Sequence, residues 1–163
     1  ENNNNMGKGY CIIKAPDYLI NNNYTHMIVM DSDNQHDPVN LNDFLYKDKK
    51  IDLLYGRRKF VKPMPCSRIL SNTLTSLIIS ILCRKRIYDT QCGYRRYSAN
   101  LFVNENYEET GYQFESEILL KKINKASSIS YVNIPTIYNK NLSSMHYLTD
   151  TLKFIRCIIK NIT

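Results

Sequence analysis

The sequence predicts an α/β domain, and three observations carry that expectation. Apolar segments of strand length, Tyr24 to Met30, Ile51 to Tyr55 and Ile129 to Ile137, alternate with longer stretches of helical periodicity. The first two strands run directly into Asp31 and into Gly56-Arg57-Arg58. Open α/β sheets deliver polar side chains to a ligand crevice in this way, at the carboxyl ends of their strands. The chain has 163 residues, 43% of them hydrophobic, so it fits one domain over 1–163 and can bury a real core.

Taken in order, Gly7 to Ile20 reads as a helix begun by Gly7-Lys8-Gly9. Such glycines let backbone approach a ligand and the lysine brings positive charge to it; alone, the segment is equally a glycine-rich helix start. Asn2 to Asn5 and Asn21 to Asn23 read as solvated tail and loop. The strand Tyr24 to Met30 then feeds Asp31-Ser32-Asp33-Asn34-Gln35-His36-Asp37-Pro38. Side chains alternate along a strand, so Asp31 and Asp33 leave it on the same side. Two hard carboxylates there suit Mg²⁺ or Mn²⁺, with a diphosphate completing the oxygen shell. Taken alone, this D-x-D reads more readily as an Asp-rich turn capping the next helix. Pro38 opens that helix, Val39 to Lys49, from its favoured first-turn position.

The loop Lys59 to Pro65 leads into a long helix, Ser67 to Arg84, with Arg68 and Asn72 on one face. Its middle, Leu74 to Leu82, is apolar almost all round, and it ends in Arg84-Lys85-Arg86. This reads first as a core helix whose basic end complements its dipole. The other reading is a face resting on a membrane, with the cations at anionic headgroups. A polar loop, Asp89 to Arg95, and an irregular acidic stretch, Leu101 to Glu109, follow. Tyr112 to Lys125 places Phe114, Ile118, Leu119 and Ile123 on one helical stripe. After the last strand and a turn over Tyr138 to Ser144, Met145 to Ile162 forms a basic amphipathic helix carrying Lys153, Arg156 and Lys160.

A net charge of +7 and a pI near 9.1 suit nucleic acid, anionic lipid or phosphate-bearing substrates. The basic residues are spread along the chain and form no nucleic-acid recognition motif, so nucleic acid is not an expected partner. Five cysteines without a C-x-x-C indicate neither a disulfide framework nor zinc, and favour a reducing compartment. The longest apolar run, Leu74 to Cys83, is too short to cross a bilayer.

Seven blocks in order, NMGKG, DSDNQHDP, GRR, SRILSN, DTQCGYR, YQFESE and VNIPTIYNKNLSS, resemble family 2 glycosyltransferases. The resembling branch includes the dolichyl-phosphate and undecaprenyl-phosphate sugar synthases, and the likeness runs from Asn5 to Ile162. It implies a GT-A fold, with a mixed, mainly parallel sheet flanked by helices. It also implies metal-dependent, inverting transfer of a sugar from a GDP- or UDP-sugar to a polyprenyl phosphate. On that resemblance Asp31, Asp33 and Asp89 are catalytic, and Asp31, Asp33 and Gln35 hold Mg²⁺ or Mn²⁺. Lys8 and Asp31 would meet the donor, while Arg58, Arg68, Asn72, Lys140 and Ser144 would hold the acceptor phosphate. Many relatives acting on hydroxyl acceptors carry a Glu-Asp pair with the Asp as base; Glu115-Ser116 stands here, which favours an anionic acceptor.

Related enzymes begin with a strand and a Pro-x-Tyr-Asn-Glu loop, so roughly the first third of such a domain is expected to be lacking. The implied location is the cytoplasmic side of a membrane (the endoplasmic reticulum in a eukaryote), peripheral in this region. A processive polysaccharide synthase on the same fold would carry a Gln-x-x-Arg-Trp signature, which a chain without Trp lacks. Two further alternatives are a truncated, inactive transferase and a basic, non-catalytic binding module.

Overall fold

The computed structural model describes residues 6–123, 127–138 and 147–162. Strand composition decides its centre. In β2 (Leu53–Arg57) the side chains alternate between faces, so Leu53 and Tyr55 enter one apolar cluster and Leu54 the other. Around it lie β1 (His26–Val29), β3 (Arg95–Ser98) and β4 (Ile129–Asn133), in the order β1-β3-β2-β4. β2 pairs parallel with β4 and antiparallel with β3, which in turn pairs antiparallel with β1. Three strands thus run one way and β3 runs against them, giving the mixed sheet the resemblance implies.

The helices are α1 (Lys8–Asn21), α2 (Leu41–Tyr46), α3 (Cys66–Leu82), α4 (Phe114–Ile123) and α5 (Tyr147–Ile162). Ile12, Ile79, Phe114, Ile118, Phe154 and Cys157 bring α1, α3, α4 and α5 to the larger cluster on one face. Phe44 of α2 packs on the other face, stacked 4.3 Å from Tyr94. The helix expected over Val39 to Lys49 is shorter, a 3-10 turn at Pro38–Asn40 followed by α2. Asp37 caps that turn through its Oδ1, which accepts the Val39 N–H at 2.9 Å.

α3 inverts the expectation for a core helix. Its buried residues are Arg68, Asn72, Ser76 and Ile79, whereas Leu70, Leu74, Leu77, Ile78 and Ile81 are exposed. The buried stripe is polar because it must satisfy the backbone of a loop. Ser76 Oγ accepts the Thr90 N–H at 3.2 Å, and Ser80 Oγ accepts the Ile87 N–H at 2.9 Å. No helix among the described residues is long and apolar enough to cross a membrane. All five cysteines are free thiols, with Cys83, Cys92 and Cys157 buried.

Candidate active site

Because β1, β2 and β4 are parallel, their carboxyl ends share one edge of the sheet, and the start of antiparallel β3 lies at the same edge. Asp31 lies just beyond β1, Arg57 closes β2 with Arg58 after it, and Cys92-Gly93-Tyr94 lead into β3. Lys8 of α1 ties this edge to the helices. Its Nζ lies 2.6 Å from Asp31 Oδ1 and 2.7 Å from Glu115 Oε1 in the first turn of α4. His36 Nε2 stands 3.7 Å from Asp31 Oδ2, its ring tilted against Tyr94. Burial works to raise the Asp31 pKa, but the hydrogen bonds and charges of His36 and Lys8 outweigh it and hold the carboxyl well below its ordinary range. Burial likewise opposes the charge on Lys8, and Glu115 and Asp31 reverse the balance, raising its pKa above the ordinary lysine value.

Two glycines make this cluster possible. Gly7 has φ 86°, the left-handed region open to glycine, and starts α1 against the backbone of Thr110. Gly93 lies so close to the cluster that an added Cβ would overlap the Asp31 carboxylate and the Lys8 ammonium. Two polar atoms at the α4 start, Glu115 Oε2 and Ser116 Oγ, are buried without a hydrogen-bond partner among the described residues.

Asp89 and Arg58, expected on catalysis and on the acceptor phosphate, are brought to each other. Asp89 is fully buried, and it accepts from Arg58 Nε at 2.7 Å, Arg58 Nη2 at 3.1 Å and the Gln91 N–H at 3.1 Å. Burial opposes the Arg58 charge, but Asp89 overrides it and drives the guanidinium pKa upward. In this arrangement the pair fixes the loop before β3. Arg95 completes that loop from inside. Its guanidinium donates to the carbonyls of Cys92 (2.8 Å), Glu115 (3.0 Å) and Thr90 (2.7 Å), joining the Gly93 loop to the start of α4.

Arg58 and Arg68 line different cavities, one on each side of α3. Arg68 belongs to a cavity of about 440 Å³ between α3, α4 and α5. Its wall is apolar, with Leu70, Leu74, Ile78, Phe154, Ile155 and Ile158, and its polar lining includes Gln91, Gln113 and Ser116. Asn72 is buried beside Met64, its Nδ2 3.6 Å from the sulfur, and lines neither cavity. Lys140 and Ser144 lie outside the described residues.

Crystal structures of glucosyl-3-phosphoglycerate synthase from Mycobacterium tuberculosis match 96% of this chain. The TM-score is 0.72 at 15% identity for its UDP complex, and 0.74 at 14% identity with Mn²⁺, UDP-glucose and phosphoglyceric acid bound. The fold is GT-A. The chain spans 55% of the length of those structures. An uncharacterised protein of Methanocaldococcus jannaschii is 29% identical over 168 residues, covering 98% of this chain and 72% of its own length. No protein-family model matches the chain.

On the GT-A sheet, the donor set expected for a divalent cation is made of hard oxygens, and two of its members are half-buried neighbours. Asp33 Oδ1 accepts the Gln35 N–H at 3.0 Å, which turns the chain between them. Asp31 is committed to Lys8, and the described residues hold no group of three His, Cys, Asp or Glu suited to a metal. The described residues thus show no assembled cation site, and oxygens from Asp31, Asp33 and Gln35 would need ligand oxygens to complete a shell around Mg²⁺ or Mn²⁺. Sequence reasoning missed the pairing of Lys8 with Glu115, the contact of His36 with Asp31, and β3 itself. The YQFESE block contained Glu115, but nothing in its spacing pointed to α1.

Proposed function

We propose that this chain is the core of a metal-dependent glycosyltransferase that moves a sugar from a nucleotide sugar to a polyprenyl phosphate. The observation that carries the acceptor assignment is the cavity between α3, α4 and α5. Its lining includes Ser116, next to Glu115 of the Lys8–Asp31–Glu115 cluster, and its wall is hydrocarbon. A polar head with an apolar tail matches that lining better than a small hydrophilic acid such as phosphoglycerate.

The proposed chemistry follows from the residues. Asp31 and Lys8 organise the donor side, and Arg68 and Gln91 at the cavity meet the acceptor phosphate. Asp31, Asp33 and Gln35 would hold a divalent cation, which when bound would supply positive charge against the leaving nucleoside diphosphate. Glu115 is ion-paired with Lys8 and its neighbour Ser116 is a hydroxyl, so the second carboxylate that would serve as a base is not there. An acceptor phosphate with a second pKa of about 6 arrives ionised and needs no such base. The outward apolar faces of α3 and α5 support work at a bilayer surface, where the lipid tail remains.

The test uses full-length protein with Mn²⁺ and labelled UDP-glucose or GDP-mannose, offering undecaprenyl phosphate, dolichyl phosphate or 3-phosphoglycerate. Label extracted into organic solvent, and abolished by Asp31→Asn, is the expected result. Label appearing only in phosphoglycerate overturns the lipid assignment, and label in no acceptor with either donor overturns the transferase reading.

A further inference from the structure

On the opposite side of α3 from the apolar cavity lies a groove of about 820 Å³, which shares no lining residue with it and none with the Lys8–Asp31–Glu115 cluster. Six of the chain's 22 lysines and arginines line it (Arg57, Arg58, Lys59, Arg84, Lys85 and Arg86), and no acidic residue among the described residues does. Arg58 is neutralised by Asp89; the other five make no ion pair among the described residues. Like charges gathered on one concave surface repel one another unless an anion sits among them.

The groove is also built. Tyr88 holds two guanidiniums in place, with Arg57 stacked 3.8 Å from its ring centroid and Arg86 at 5.1 Å. Arg84 has φ 47°, a left-handed conformation that usually falls to glycine after a helix. The turn is closed there by the Lys85 N–H donating to the Ser80 carbonyl at 3.1 Å. A charged side chain thus occupies a position where backbone geometry alone would favour glycine. The carbonyl end of α3 would add negative potential, and the cations more than offset it.

We propose that this groove is a second anion site, taking a phosphate-bearing ligand apart from the candidate catalytic cluster. Phosphate fits because guanidinium groups bind its oxygens in paired hydrogen bonds while lysine contributes point charge. The phosphate could be carried by a soluble molecule or by a lipid headgroup. The proposal does not rest on the transferase reading, since binding is measured without a nucleotide sugar.

The experiment titrates full-length protein with pyrophosphate by calorimetry and, separately, floats it with vesicles of phosphatidylglycerol or of phosphatidylcholine. Lys85→Glu with Arg86→Glu should weaken binding at least about tenfold, as two lost cations near an anionic partner predict. Lys49→Glu with Lys50→Glu, the same charge change before β2 where the groove follows it, should leave binding within about twofold of wild type. Arg86→Lys should retain part of it. Should the double variant fail to fold, Lys85→Gln alone gives the same comparison. Groove-dependent binding of pyrophosphate supports the site with a soluble ligand; groove-dependent binding of phosphatidylglycerol vesicles alone supports it with a lipid headgroup. Failure of both probes, or equal weakening by the groove and control variants, overturns it.

Discussion

At the scale of the residue, Lys8 is the side chain on which the candidate site turns. One ammonium is shared by Asp31 and Glu115, so removing it leaves two carboxylates facing each other in a partly dry site. Lys8→Met should therefore destabilise the fold by about 3 kcal/mol near neutral pH, less than a fully buried pair because Asp31 keeps some solvent contact. The pH dependence has a definite sign. The Asp31 pKa is depressed, so its contribution is present above the ordinary value of 3.8 and is lost as pH falls through the lower folded value. The Lys8 pKa is raised, so its contribution is present below 10.5 and is lost as pH rises through the higher folded value. Urea denaturation of wild type and variant should show a gap that is flat from about pH 5 to 9 and narrows outside that window. A gap that changes steadily across neutral pH would place the titrating group elsewhere.

Among the elements, β3 does most to assemble the site. Its two neighbouring arginines point to opposite faces, as period-two geometry demands. Arg95 holds the Gly93 loop to α4, while Arg96 donates to the carbonyls of Phe44 (2.7 Å), Lys47 (2.9 Å) and Asp48 (2.6 Å) at the end of α2. Arg95→Leu would strand three buried carbonyls and should cost about 3 to 5 kcal/mol, read as a loss in denaturation midpoint. Arg95→Lys should recover only part of that, because one ammonium cannot reproduce a planar fork. Equal stability of all three proteins would show that the loop is held by other contacts. β3 was not legible in the sequence, because Arg-Arg-Tyr-Ser shows no apolar alternation and adjacent arginines ordinarily mark surface. The same blindness hid the inward polar stripe of α3, whose partner is a loop distant in sequence.

For the whole molecule, the outward apolar residues of α3 and α5 are the feature that bears on where the protein works. α5 buries Phe154 and Cys157 on one side yet exposes Leu152, Ile155 and Ile159 on the other, with Arg156 and Lys160 beside them. Together with the exposed leucines of α3 this exceeds the scatter of single apolar residues on a soluble surface. Under the membrane-surface proposal, Leu152→Gln with Ile159→Gln should lower flotation of the full-length protein with vesicles several-fold while leaving its thermal midpoint within about 2 °C, since both side chains are exposed. Unchanged flotation would assign that face to another partner.

By itself the sequence determined β1, β2 and β4, the helical stretches, the carboxylates at the end of β1 and a resemblance to family 2 transferases. Local periodicity, turn residues and contiguous motifs are written within short windows of chain. Tertiary structure alone decided that Lys8 meets Asp31 and Glu115, that Asp89 closes on Arg58, and that Arg58 and Arg68 part to opposite sides of α3. Each of those facts is a contact between residues far apart in the chain. Which of several complementary charges pair depends on strand order and helix placement, and no local pattern encodes that choice.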